Sequence, residues 1–329
     1  MILTPPIPAP HSAIPFAAAT LRRLILTMVF ATSAAVLSSA ASARVLSVGP
    51  GLGMTLPSQA AAVARDGDAI RIAPGTYSDC ALWNASRLTI EATAPGVTIA
   101  GRTCQDRGIF VILGANTTIR GITFAGSRGA GHNSAGILGI GTNLTVERSR
   151  FLDNENGILM GGLPDSALIV RDSEFRGNGS CEGACAHGIY AGAPIKLLRI
   201  ERCVFEATRT AHHIKSRART TVISDSRIED GPAGTASYLI DLPNGGDAVI
   251  EHNILEKGPL SGNPSAAISI GTGGVTNPTD RLIVRGNRFT SDLPGTTVFV
   301  RNHTTVPVEL TGNTVAGRVV TLTGPGTVQ

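Results

Sequence analysis

The residues best suited to chemistry in this sequence lie in one short stretch, residues 211–218, which reads AHHIKSRA. Because side chains alternate along a β-strand, Ile214 and Ser216 are predicted to face one way. His213, Lys215 and Arg217 are predicted to face the other way, roughly 7 Å apart along the strand. An imidazole, an ammonium and a guanidinium on one face could hold an anionic ligand and move a proton.

Three similar stretches place more polar residues beside this one. Each has an isoleucine that we predict to point inwards: Ile189, Ile214, Ile240 and Ile268. The next residues would form an outward column at the strand spacing of roughly 4.8 Å: Tyr190, Lys215, Asp241 and Ser269. The flanking loops are expected to add three side chains: His187, His212 and Asn244. Three glycines are expected to leave room for a ligand above the sheet: Gly188, Gly192 and Gly271.

The elements that would position these residues belong to a repeat. Eight six-residue units start with an aliphatic residue and recur every 23 to 34 residues, at 119, 146, 170, 200, 223, 250, 284 and 310. The fourth residue of each unit is polar or small, except Ile122, and the sixth is apolar. An inward Ser or Asn at a bend can bond to the backbone of its own or the next coil, which predicts polar ladders along a stack of coils.

Each repeat unit is followed by a second short strand, with no room for a helix between strands. Such spacing excludes a doubly wound sheet and predicts an all-β solenoid, in which each coil pairs in parallel with the next. We predict this solenoid from about Ala69 to Val320. A short alanine-rich helix from Ser58 to Ala64 is predicted to cap its N-terminal end.

Particular motifs give the chain a family resemblance from about Thr55 to the C-terminus. The opening DGD at residues 66–68 with GTY at 75–77 is typical of the first coil in the pectate-lyase-like superfamily. KSRA at 215–218, ASY at 236–238 and LPNGG at 242–246 resemble one subgroup. The chain therefore resembles secreted bacterial right-handed parallel β-helix proteins of that superfamily, and the resemblance implies a single right-handed β-helix.

The resemblance implies a polysaccharide lyase that cleaves a uronate-containing polysaccharide by β-elimination. That reaction needs a base for the C5 proton, a cation for the carboxylate and an acid for the leaving oxygen. Similar lyases use Lys or Arg as the base, so Lys215 is the candidate base. Arg217 or His213 would hold the carboxylate, and Tyr190 would donate the proton. The remaining candidates would contact substrate: Asp241, His187, His212 and Asn244.

Other interpretations of the same surface stay open. A non-catalytic glycan-binding or cell-surface structural protein could use it, and Lys215 and Asp241 could be a plain surface ion pair. The negative charge of Asp241 would orient Lys215 but would also raise its pKa, which disfavours a neutral base. A glycosidase is disfavoured because it needs two or three converging carboxylates, and this surface has one clear carboxylate, Asp241.

Composition fits a secreted globular protein. The 329 residues carry a formal charge of +4, only 16% charged residues and 39 glycines, which suits short buried strands and tight turns rather than disorder. Residues 1–43 read as a signal peptide, with Arg22 and Arg23 before the apolar run 24–37 and small residues at 41–43. We therefore expect residues 44–329 to be a secreted, extracellular or periplasmic, monomeric domain. Its expected partner is an acidic polysaccharide, with no nucleic acid and no membrane after signal cleavage.

Five cysteines and one acidic run complete the predictions. Cys80 and Cys104 are 24 residues apart, about one coil, and could form a disulfide. Cys181 and Cys185 share a loop and could form another, which leaves Cys203 as a buried thiol. The run 153–156, DNEN, could bind calcium, although a polar turn also accounts for it. No cofactor is otherwise expected, and no metal-ligand set is predicted.

Overall fold

The structure is a computed structural model that describes residues 43–329. Parallel strands wind through these residues as a solenoid with three sheets, so the predicted all-β right-handed parallel β-helix is confirmed. The predicted signal peptide lies, up to residue 42, outside the described residues. Within the described range, no helix is both long and apolar enough to cross a membrane.

Three parallel sheets, which we name A, B and C, form the walls of the solenoid. Sheet A has 12 strands: Val45–Val48, Ala69–Ile72, Thr89–Ala92, Thr117–Arg120, Leu144–Glu147, Ala167–Arg171, Leu197–Glu201, Thr220–Ser224, Asp247–Glu251, Leu282–Arg285, Val308–Thr311 and Gly326–Val328. Sheet B has 10 strands: Gly75–Tyr77, Val97–Ala100, Ile122–Ala125, Arg150–Leu152, Glu174–Arg176, Val204–Glu206, Arg227–Glu229, Ile254–Lys257, Arg288–Ser291 and Thr314–Ala316. Sheet C has 10 strands: Ala81–Trp83, Gly108–Ile112, Ala135–Gly139, Asn156–Met160, Ile189–Ala191, Ile214–Ser216, Ile240–Leu242, Ile268–Ile270, Thr297–Asn302 and Val319–Thr323.

The six-residue repeat unit runs from the end of a sheet A strand to the sheet B strand that follows. Its third residue has a left-handed backbone in all eight units: Gly121, Arg148, Asp172, Arg202, Asp225, His252, Gly286 and Gly312. This conformation is rare for L-residues and easiest for glycine, which three of the units use. The left-handed residue turns the chain from one sheet to the next. The bend therefore lies at the third residue of each unit, one position before the polar fourth residue.

The fourth residues of the units form the predicted polar ladder. Ser226 accepts a hydrogen bond from the Cys203 N–H at 3.0 Å, and Asn253 accepts one from the Ser226 N–H at 2.9 Å. The sixth residues stack inside the solenoid, where the rings of Phe151 and Phe175 are 4.6 Å apart and nearly parallel. Coils that carry a polar fourth residue and a phenylalanine at the sixth position therefore satisfy the polar group and stack the ring against the next coil.

The ends of the solenoid differ from the prediction. The helix spans Pro57–Val63, close to the predicted range, but a strand at Val45–Val48 precedes it and pairs with Ala69–Ile72. At the other end Gly326–Val328 extends sheet A beyond Val320. Both end strands are short and lack the full repeat unit, which is why the repeat did not reveal them.

Both predicted disulfides are present, Cys80–Cys104 and Cys181–Cys185. Cys203 is a free, buried thiol at the polar corner, as predicted, and burial raises its pKa to about 12. The native protein should therefore show no reactive thiol, because the thiolate is the reactive form. Titration with a thiol reagent should find one thiol after unfolding without reductant, and a count of three or five would contradict the pairing.

The acidic run 153–156 forms a bend that leads into the strand Asn156–Met160, and its side chains bond to the protein. Asp153 pairs with Arg209 at 2.7 Å, and the Asn154 amide donates to Phe124 O at 3.0 Å. Glu155 is buried and accepts a hydrogen bond from the Ser134 N–H at 2.7 Å. Among residues 43–329, no group of three acidic, His or Cys side chains is arranged to hold a metal ion.

Candidate active site

The predicted outward column is present on sheet C. Tyr190 pairs with Lys215, Lys215 with Asp241, and Asp241 with Ser269 on successive strands. The isoleucines before them are fully buried, so alternation places the column on the outer face. Tyr190 and Lys215 are half-buried, whereas Asp241 and Ser269 are buried beneath Thr272, which bonds to both of their side chains.

Lys215 lies at the centre of this surface. Its ammonium is 3.8 Å from Asp241 Oδ2 and 5.7 Å from the centre of the Tyr190 ring, and its side chain is 19% exposed. Burial lowers the pKa of Lys215 below its ordinary value; Asp241 acts against this shift and Arg217 adds to it. A partly buried amine with a lowered pKa is the environment that a lysine base requires.

Asp241 is the buried partner of Lys215. Its side chain is only 4% exposed, and burial raises its pKa to about 6, against the opposing effects of Lys215, Thr272 and Arg217. His212 Nε2 is 3.4 Å from Oδ2, and the Thr272 hydroxyl donates to Oδ1 at 3.4 Å. Near neutral pH the carboxylate is ionised and can orient the ammonium of Lys215.

Arg217 is fixed between two neighbouring coils. Its Nε donates to the Tyr190 hydroxyl oxygen at 3.0 Å, and its Nη1 donates to Asn244 Oδ1. Asn244 is held in turn by its amide, which donates to Thr276 Oγ1 at 2.6 Å. Because Nε and Nη1 have these partners, the guanidinium is oriented while Nη2 makes no hydrogen bond to any described residue. Tyr190, Arg217 and Asn244 therefore meet as predicted.

A stack of rings lines the surface on the side where the sheet C strands begin. His187 and His212 are stacked with centroids 4.9 Å apart, and His212 and Tyr238 with centroids 5.2 Å apart. The backbone N–H of His212 donates to His187 Nδ1, and the backbone N–H of Tyr238 donates to His212 Nδ1. Each Nδ1 is thus an acceptor, which places the proton of each neutral imidazole on Nε2.

The prediction that His213 faces outwards is wrong. His213 is fully buried, with Nε2 2.9 Å from Asp230 Oδ1 and Nδ1 2.8 Å from the Thr208 hydroxyl. The strand begins only at Ile214, so the alternation extrapolated to the residue before it does not apply. His213 cannot hold a substrate carboxylate from inside the solenoid.

The glycines beside the column have a different role from the predicted one. A Cβ on Gly188 would lie 2.4 Å from the carbonyl oxygen of His213, and one on Gly192 would lie 2.9 Å from that of Met160. Both therefore allow the backbones of adjacent coils to approach, rather than leaving space for a ligand.

Sequence reasoning missed three residues at this surface. Tyr238 ends the ring stack and Thr272 covers Asp241, but both lie in loops outside the repeat. Arg301 continues the outward column beyond Ser269. Its strand was visible in the repeat, so extending the column by one coil would have found it.

A concavity of about 580 Å³ lies elsewhere, around Arg120 and Arg150. These arginines are already paired with glutamates, Arg120 with Glu147 at 2.8 Å and Arg150 with Glu174 at 2.8 Å. The surface around Lys215 is therefore the better candidate, because there the buried titratable groups converge and their pKa values are shifted.

The buried histidines predict a loss of stability in acid. Burial lowers the pKa of His212 to about 3 and that of His187 well below its ordinary value, with nearby positive charges adding to both shifts. Between those values and about 6.5 the unfolded chain binds more protons, so stability falls as pH falls. At pH 5, His212 alone should cost about 2 kcal/mol, measurable by urea unfolding.

Asp241 also titrates in this pH range, and two histidine variants serve as tests of the predicted loss of stability. The raised pKa of Asp241 acts in the opposite sense, since its protonation below about pH 6 favours the folded state. His212→Gln should flatten the decline between pH 7 and 5, whereas His252→Gln, at an exposed corner, should not. Equal slopes for His212→Gln and the unaltered protein would contradict the assignment.

Comparison with known proteins agrees with this fold. The family model described as "Right handed beta helix region" matches residues 58–193. An alginate lyase from Paenibacillus sp. str. FPU-7 is similar in structure, with a TM-score of 0.57 and 19% identity over 86% of this chain and 99% of that chain. Pectate lyase Pel9A has a TM-score of 0.49 and 15% identity over 84% of this chain and 78% of that chain. No curated protein sequence matches the chain. By its repeat, its three-sheet solenoid and these similarities, the chain has the right-handed parallel β-helix fold.

Proposed function

We propose that this chain is a secreted polysaccharide lyase that cleaves a uronate-containing polysaccharide by β-elimination. The observation that carries the proposal is the half-buried Lys215, whose lowered pKa and position beside Arg217 and Tyr190 suit a base next to a carboxylate-binding cation. The shared fold with an alginate lyase is in keeping with an acidic polysaccharide as the substrate.

The proposed reaction assigns one role to each group. Lys215, in its neutral form, takes the C5 proton of the uronate, and the electrons of that bond form the C4–C5 double bond. Arg217 neutralises the uronate carboxylate and so stabilises the negative charge that develops. The C4–O bond breaks, and Tyr190 donates its proton to the departing oxygen. The Tyr190 oxygen already accepts from Arg217 Nε, which leaves its own proton free to be donated.

One observation favours a second candidate, a non-catalytic glycan-binding protein. Asp241 lies 3.8 Å from the Lys215 ammonium and stabilises its charged form, which binds an anion but cannot abstract a proton. Burial acts on the same lysine in the opposite direction and has the larger effect, so the enzyme is the proposal that we favour.

A panel of polyuronates tests the two candidates. The purified protein is incubated with alginate, pectate and other uronate polymers, and the unsaturated product is followed by its ultraviolet absorbance. A lyase gives rising absorbance with at least one polymer. Binding without cleavage, weakening as salt screens the cations, would identify the glycan-binding alternative. Salt-insensitive binding to a neutral glucan would count against an acidic polysaccharide as the ligand.

A further inference from the structure

Two residues have contacts that the proposed reaction does not use: His212 Nε2 lies 3.4 Å from Asp241 Oδ2, and the Lys257 ammonium donates to the carbonyl oxygen of Ser237. His212 lies outside the reacting groups, and Lys257 lies inside the solenoid, yet a single peptide group connects them. We infer that His212 and Lys257 are positioning residues of a relay of polar contacts that crosses the solenoid wall and orients the carboxylate of Asp241 towards Lys215. This inference rests on the proposed function for its kinetic consequence, but its structural part can be measured separately.

The relay begins at a fully buried lysine. Lys257 Nζ donates to the carbonyl oxygen of Ser237 at 2.5 Å. That carbonyl belongs to the same peptide group as the N–H of Tyr238, which donates to His212 Nδ1 at 3.1 Å. A cation on the oxygen of a peptide group makes its N–H a stronger donor, because hydrogen bonds in a chain polarise one another.

The imidazole of His212 carries the relay to the outer face. Since Nδ1 accepts from Tyr238, the ring proton must be on Nε2, which lies 3.4 Å from Asp241 Oδ2. The ring cannot turn freely, because it is stacked between His187 and Tyr238 and its side chain is 13% exposed. Asp241 Oδ2 is in turn 3.8 Å from the Lys215 ammonium.

The charges around the relay keep His212 neutral, so that it acts as a fixed donor. Burial is the largest cause of its lowered pKa, and the positive charges of Lys215 and Lys257 add to it. Asp241, whose Oδ2 lies 3.4 Å from His212 Nε2, also faces Lys215, Arg217 and the Thr272 hydroxyl. A fixed neutral donor favours the ionised form of a buried carboxylate, and that ionised form holds Lys215 in place.

The first test needs no variant and no substrate. Nitrogen NMR of His212 in the intact protein at pH 7 should show that Nδ1 is unprotonated and Nε2 is protonated. A proton on Nδ1, or a charged ring, would overturn the relay whatever the protein does to polysaccharides.

The second test changes the donor and leaves the ring stack in place. His212→Phe keeps an aromatic ring between His187 and Tyr238 but removes both nitrogens, whereas His212→Gln keeps an N–H donor. Carbon NMR titration should place the pKa of Asp241 about one unit or more higher in His212→Phe, with a smaller change in His212→Gln. Equal values in the wild type and His212→Phe would overturn the inference.

The third test addresses the inner end and the kinetics. Lys257→Met should speed hydrogen exchange of the Tyr238 amide, and Lys196→Met, at an exposed lysine, should not.

On a cleaved polyuronate, His212→Phe should move the acid limb of kcat/KM to lower pH, because a less ionised Asp241 raises the pKa of Lys215 less. An unmoved limb would overturn the kinetic part. If the wild type cleaves nothing, the proposed function and this kinetic part fail together, while the NMR results decide the relay.

Discussion

Replacing Lys215 by alanine is expected to lower turnover on the cleaved polyuronate about a hundredfold or more, while substrate affinity changes only a few-fold. The amine would be lost from a surface where Tyr190 and Arg217 still hold the substrate. The fold should survive, because Asp241 can take up a proton when its cation is removed; its pKa is already about 6. Steady-state kinetics and a thermal melt of the variant check both statements.

Two further variants separate a base from a simple positive charge. Lys215→Arg keeps the charge, but a guanidinium does not lose its proton in this pH range, so it should be as slow as alanine. Lys196→Ala, at an exposed lysine on another face, should keep full turnover. If Lys215→Arg retained most of the activity, the lowered pKa of the amine would not be what this position contributes, and an arginine base or a binding cation would account for the rate.

The pH dependence of the unaltered protein provides an independent check. Turnover should rise with pH as Lys215 loses its proton, and the rise should begin below the ordinary lysine pKa of about 10.4, because burial lowers the pKa of Lys215. A rate that falls with rising pH across the neutral range would exclude a lysine base.

Replacing Arg217 by alanine is expected to weaken both binding and turnover. The guanidinium would hold the substrate carboxylate in the ground state and, more strongly, in the transition state, so KM should rise and kcat should fall. Loss of one such stabilising group typically costs on the order of a hundredfold in kcat. Alanine also removes the donor to the Tyr190 hydroxyl, which leaves the proposed acid less well oriented.

Arg219 offers a matched control two residues along the chain. It is paired with Asp165 at 2.7 Å, away from the column, so Arg219→Ala should leave both constants close to normal. Arg217→Lys tests geometry, since a single ammonium cannot contact Tyr190, Asn244 and a carboxylate together as the planar guanidinium can. We expect it to recover binding better than turnover. If Arg217→Ala had the same KM and kcat as the wild type, Arg217 would have no part in the mechanism.

The sequence predicted the outward column because both of its determinants are periodic. The repeat aligns Tyr190, Lys215 and Asp241 on neighbouring coils, and the alternation along a strand sends all three to the same face. The prediction failed at His213 because the strand starts one residue later. A side chain that precedes a strand does not follow the alternation of side chains along that strand.

The remaining features depend on loops that have no period. Thr272 covers Asp241, and Tyr238 completes the ring stack, from loops whose paths the repeat does not determine. Burial of Lys257 also could not be read from the sequence, since an inward lysine at the end of a strand looks like a solvated one. Such groups become visible only when three-dimensional packing shows which polar atoms satisfy them.

The corner ladder has a consequence for how proteins of this shape can change in evolution. Asn253 accepts from the coil before it, and its amide donates to Asn287 on the coil after it at 3.0 Å. Because the side chain of one coil accepts from the backbone of the coil before it at most steps of the ladder, a gene duplication that inserts one whole coil supplies its own partner at the fourth position and its own inward apolar side chain. Such an insertion would lengthen the outer surface by one strand spacing, roughly 4.8 Å. A lineage could therefore lengthen or shorten the outer face of sheet C one coil at a time, while the groups around Lys215 stay unchanged.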